Sequence, residues 1–146
     1  MVMQFVVHTD LVVRSVSASL AFYGKLLDIK IIDDAVVEGA VPGFLSEGRT
    51  QRMRLALLKL APVGSMIELI EFMDLAEELG PVRFRNRTSI SVFVGELASV
   101  IARGKEQGIL PESDVLLVHL PNSGKSEIVF FRDPDGYLLE FVGRSA

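Results

Sequence analysis

The chain has no cysteine. That excludes a disulfide framework, a thiolate nucleophile and a zinc–thiolate site. Histidine is scarce: His8 and His119 are the only two, too few to argue a Ser-His-Asp arrangement. No apolar run approaches the ~18 residues that a membrane span needs. The apolar start, MVMQFVVHTDLVV, lacks a leading basic segment and is interrupted by His8 and Asp10, so it reads as a strand and not as a signal peptide. Lys and Arg form no block, and the net charge is −4, which argues against a nucleic-acid partner. A cytoplasmic location is the default expectation.

Apolar material is plentiful. Hydrophobic residues make up 49% of 146 residues and charged residues 23%, so a core is within reach and disorder is not. The length suits one domain, or two small modules sharing a core. Mean hydropathy is +0.39. An apolar excess in so small a chain suggests surface buried between subunits, hence a homodimer.

The plainest local signal is Ile128–Val142, IVFFRDPDGYLLEFV. Asp133-Pro134-Asp135-Gly136 has proline where a type I turn wants its preset φ, and glycine where the chain turns left-handed. Apolar flanks make it a hairpin. From the start, Phe5–Val13 alternates: His8, Asp10 and Val12 point one way, Leu11 and Val13 the other, toward a helix. Ser15 or Ser17 offers an N-cap for a helix over Ser17–Leu27, with Val16, Leu20, Tyr23 and Leu27 at helical spacing. Ile29–Val37 is a second strand. Glu38–Thr50, with Gly39, Pro42, Gly43 and Gly48, reads as a long loop. Gln51–Leu60 is a strand with Arg52 and Arg54 on one face and Met53, Leu55 and Leu57 on the other. Met66–Phe72 is a fourth, with Glu68 in its centre. Met73–Arg87 is polar and interrupted by Gly80-Pro81, a helical turn plus linker. The pattern then restarts: strand Thr88–Val94, helix Glu96–Gln107 closed by Gly108, strand Val115–Leu120, a turn cluster at Pro121–Lys125, and the hairpin. The order strand-helix-strand-strand-strand occurs twice, a repeat in which each half packs its helix on one side of a small sheet. The modules are 4–72 and 88–143, joined by 73–87.

Polar residues inside apolar strands mark the chemistry. His8 lies in the first strand of module one and Glu68 in its last. Glu140 lies in the last strand of module two, and Ser89 takes the equivalent place in its first. Duplicated modules related by a pseudo-twofold axis would converge these four side chains on a cleft floor. Burying an acid is costly without a partner or a metal. Glu68 and Glu140 therefore serve either as metal ligands or as halves of ion pairs with Arg52, Arg54 or Arg132. The Gly24-Lys25 and Gly104-Lys105 pairs read as helix-end features, and neither completes a phosphate loop. His119, beside Pro121, is expected to be exposed.

The stretches VVHTDLVVRSVSASLAFYGKLLDIK (6–30), SMIELIEF (65–72) and FFRDPDGYLLEFV (130–142) resemble the vicinal oxygen chelate superfamily. That superfamily includes glyoxalase I, bleomycin resistance proteins, extradiol dioxygenases and methylmalonyl-CoA epimerase. The resemblance implies an α+β fold of two βαβββ modules whose mixed sheet curves around a cleft. It implies metal ligands at His8, Glu68 and Glu140. Ser89 departs from the pattern, standing where many metal-using relatives have histidine. A His/Glu/Glu set with open positions suits Mn²⁺, Fe²⁺, Ni²⁺ or Mg²⁺ better than a closed zinc site. The implied activity is lyase, isomerase or dioxygenase chemistry on a small oxygen-bearing molecule. It would proceed by bidentate chelation and oxyanion stabilisation, with Glu68 or Glu140 as general base. Arg52, Arg54 and Ser89 would contact substrate. The alternative is a metal-free protein that sequesters a small molecule, as the bleomycin resistance proteins do.

Overall fold

The computed structural model describes residues 4, 6–62, 64–80 and 89–145. Two compact units divide the chain, Met1–Gly80 and Pro81–Ala146. Among the described residues, each is built on a four-stranded mixed sheet, and three α-helices accompany them, an α+β architecture.

The first unit runs β1 (His8–Val12), α1 (Val16–Leu26), β2 (Lys30–Glu38), α2 (Ala40–Leu45), β3 (Arg52–Lys59), β4 (Met66–Phe72) and a 3-10 turn at Ala76–Glu78. Its strand order is β1-β4-β3-β2. The first strand pairs with the last in parallel, and the remaining pairs are antiparallel. The odd-numbered face of β1 is the one that packs inward: Leu11 and Val13 are buried with Val16, Tyr23 and Leu26 of the α1 region, and with Ala56, Leu58, Ile67 and Leu69 from β3 and β4. Of the two candidate caps, Ser15 is the one used; its hydroxyl accepts from the Ala18 N–H at 3.1 Å. Ser17 instead accepts from Arg54 Nη1 at 2.7 Å, tying the helix to β3. The sheet's other face has its own small cluster, Met53, Ile70, Phe72 and Leu75, flanked by Val12 and Val37.

The span read as a loop at Glu38–Thr50 holds a short helix, α2. Pro42 is its third residue, where a missing N–H costs nothing because first-turn donors have no partner inside the helix. Strand β1 begins at His8 and not at Phe5; Phe5 lies outside the described residues.

The second unit runs β5 (Ser89–Gly95), α3 (Leu97–Glu106), β6 (Leu116–Leu120), β7 (Gly124–Arg132) and β8 (Leu138–Arg144). Its order, β5-β8-β7-β6, repeats the first unit's topology. The core comprises Leu97, Val100, Val129, Phe131, Leu139 and Phe141. The rings of Phe131 and Phe141 meet edge to face, centroids 5.5 Å apart, the arrangement that the ring quadrupoles favour. Gly143 is where α3 meets β8: a Cβ there would lie 2.9 Å from Leu97 Cγ. At the hairpin, Gly136 has φ 94°. The Asp133 carboxylate, itself buried, accepts from the N–H groups of Asp135 and Tyr137, each at 2.9 Å. The turn cluster expected at Pro121–Lys125 yields its last two residues to β7, which starts at Gly124. Thr88 and the linker residues 81–87 lie outside the described residues.

Ser15→Ala removes the N-cap acceptor and is expected to cost about 1 kcal/mol. Urea unfolding, followed by circular dichroism, measures it.

Candidate metal centre

Residues directly opposite one another in a sheet share a face, and neighbours along a strand alternate. In the first unit Asp10 pairs with Glu68, and Glu68 with Leu57. His8, two residues before Asp10, therefore shares their face. The three side chains meet. His8 Nδ1 lies 2.6 Å from Asp10 Oδ1, and Nε2 lies 3.8 Å from Glu68 Oε2. One donor atom from each falls within 4.8 Å of the others. Because a carboxylate only accepts, the His8 Nδ1–H donates to Asp10.

Glu68 is the most enclosed of the three, its side chain 13% exposed. Burial pushes its carboxyl above the ordinary glutamate value, the Asp10 charge pushes it the same way, and His8 opposes them. A cation set among these groups would relieve that penalty.

Arg52 and Arg54 stand on the opposite, helix-bearing face. Arg54 pairs with Glu71 across β4, three residues from Glu68, so strand parity separates them. Its guanidinium grips Asp34 through two bonds of 2.9 Å. The hydrogen bond to Arg54 lowers the Asp34 carboxyl and raises the guanidinium in turn. Arg52 donates to Glu38 at 2.9 Å. Neither arginine forms an ion pair with Glu68, and their positions do not bring them to His8.

In the second unit Ser91 pairs with Glu140. Ser91 Oγ donates to Glu140 Oε1 at 2.5 Å. Ser89 pairs with Leu138 as His8 pairs with Met66, so the backbone places Ser89 and His8 at equivalent positions. Arg132 donates to Glu112 and to the Gly136 carbonyl. His119 is exposed on β6.

Two residues of these sites were not singled out by sequence reasoning: Asp10 and Ser91. The signal was present in the alternation of β1 and β5, which puts Asp10 with His8 and Ser91 with Ser89.

The model of the Glyoxalase/Bleomycin resistance protein/Dioxygenase superfamily matches residues 5–141. The chain belongs to that superfamily. It resembles a glyoxalase family protein from Bacillus cereus, at TM-score 0.76 and 19% identity over 100% of this chain and 97% of that one. TnmS3, an antibiotic binding protein from Streptomyces sp. CB03234, superposes at TM-score 0.68 with 15% identity, covering 99% of each chain. The trypanothione-dependent glyoxalase I of Leishmania major gives TM-score 0.65 and 20% identity over 97% of this chain and 87% of that one. At these identities the likeness is one of fold. Among curated proteins, sequence comparison finds no match.

Because the folded value of Glu68 lies above its unfolded value, its contribution to stability is fully present below the ordinary glutamate range and is lost as pH rises through the folded value. Glu68→Gln is therefore expected to equal or exceed the native chain in metal-free stability at pH 7.5. The difference should narrow as pH falls toward 5. Thermal melts in chelator across that range test it.

Proposed function

We propose that the protein is a divalent-metal-dependent enzyme acting on a small oxygen-bearing molecule. The observation that carries this reading is the His8–Asp10–Glu68 group. Two ligands each ~2.1 Å from one ion stand at most ~4.2 Å apart. The donor atoms, within 4.8 Å of one another, lie close to that spacing. One imidazole and two carboxylates, with open positions left over, suit Mn²⁺, Fe²⁺, Ni²⁺ or Mg²⁺, and zinc with open positions also accepts such a set.

Bound there, the ion supplies adjacent sites for two neighbouring substrate oxygens and positive charge for an oxyanion. The protein's own groups handle the proton. Glu68, detached from the ion, would serve as the general base that takes the abstracted proton. Glu140 is a second acid of the same type in the second unit, and its assignment as ligand or base stands as part of the proposal. The substrate clamp expected of Arg52 and Arg54 is not part of it, since both guanidiniums are engaged on the other face of their sheet.

A second reading has one observation in its favour. Phe93, Val142, Ile128 and Leu116 form a row across the second sheet, and Phe93 is 62% exposed. Such a floor suits an apolar ligand held without metal, the sequestration reading. Exposed apolar side chains, with Phe44 at 84%, also support a homodimer; a cytoplasmic location stays part of the proposal. A light-scattering mass near the 16.0 kDa of one chain would count against the dimer.

Metal analysis after chelator-free purification, followed by Mn²⁺ calorimetry, separates the two readings. The first expects near-stoichiometric metal, with affinity reduced at least ~10-fold by His8→Ala and by Asp10→Ala. Glu140→Gln reduces it as well if Glu140 is a ligand. Metal-free protein that still binds an apolar ligand favours the second.

A further inference from the structure

We propose that the first unit carries a separate binding site for a small organic carboxylate with an apolar body, seated between Lys30 and Lys59. Lys30 opens β2 and Lys59 closes β3, and the two are direct cross-strand partners. Opposed residues of an antiparallel pair have their Cβ atoms ~5 Å apart, and like charges so placed repel. Among the described residues neither ammonium has an acid within ion-pair distance. Asp28 is close by and has an interaction of its own.

Both lysines line a pocket of about 560 Å³ at the end of the β2–β3 pair, a volume typical of small-molecule sites. Its remaining walls are mainly apolar: Ile29, Ile32, Leu60 and Pro62, with Asp28 at one side. Ile32 is two residues from Lys30, on the same face of β2, beside a break in register. Pairing steps from Ile31–Leu58 to Asp33–Leu57, leaving Ile32 as the extra residue of a bulge. A strand end that sets two like charges face to face and turns an isoleucine into the same opening is poorly arranged for stability. It is well arranged for a ligand whose carboxylate lies between the ammoniums and whose alkyl part covers the isoleucines. These residues are distinct from His8, Asp10 and Glu68, so the inference stands apart from the metal reading.

The test is an amide NMR titration of the full chain with three probes: octanoate, 1-octanol and inorganic phosphate. Octanoate is expected to shift the amides of Lys30, Ile32, Lys59 and Leu60 saturably. Octanol, lacking the charge, and phosphate, lacking the apolar body, should each bind at least tenfold more weakly. The double variant Lys30→Gln/Lys59→Gln should bind octanoate at least tenfold more weakly and, relieved of repulsion, melt no lower than the native chain. Lys59→Arg should retain binding. The proposal is overturned if octanoate leaves these amides unmoved, if the double variant binds it equally, or if octanol or phosphate matches it. A lower melting temperature for the double variant would also overturn it, by showing that the lysines stabilise the fold.

Discussion

Strand parity governs both halves of this protein. In a pleated ladder, moving one residue along turns a side chain from one face to the other. The first unit's register sets Asp10 beside Glu68 and Arg54 beside Glu71. One sheet thus keeps a cluster of acids and an imidazole on one side and arginine–carboxylate pairs on the other. Arg52 and Arg54 are therefore not available to neutralise Glu68. Burial, and the Asp10 charge that the register sets beside it, raise its carboxyl. The arginines, for their part, are used structurally: Arg54 joins β2, β3 and α1 through Asp34 and Ser17.

Much of this was legible in the residues. Alternation located the strands, the helical spacing of Val16, Tyr23 and Leu27 located α1, and Asp133–Gly136 located the last turn. The repeat of element order, read from the chain, reappears as the same strand order in both sheets. Legibility failed where tertiary context overrides a local signal. Gly39, Pro42, Gly43 and Gly48 read as breakers, yet Ala40–Leu45 is helical. Proline is harmless in a first turn, and Gly43 is small because the Gln51 side chain approaches it; a Cβ would stand 2.8 Å from its amide nitrogen.

The site shows the same limit. His8 and Glu68 stand out as polar residues in apolar strands, and the fold brings them to 3.8 Å. Asp10 was equally visible in the alternation. Its importance depends on which strand lies next to β1, however, and that is a matter of long-range pairing. Arg52 and Arg54 carried the reverse lesson. Their chemistry suits anion binding, but their parity, already readable from Met53, Leu55 and Leu57, sends them to the helix side.

The parallel pairing of β1 with β4 has an implication for assembly. Residues 8 and 68 belong to the opening and closing strands of their unit, so the imidazole and its acid become neighbours only after nearly the whole unit has been threaded into place. Joining such distant strands carries an entropic penalty that grows with the loop between them. An ion that prefers the finished arrangement would act as a clasp across that seam, drawing its affinity from the same free energy that keeps the unit closed.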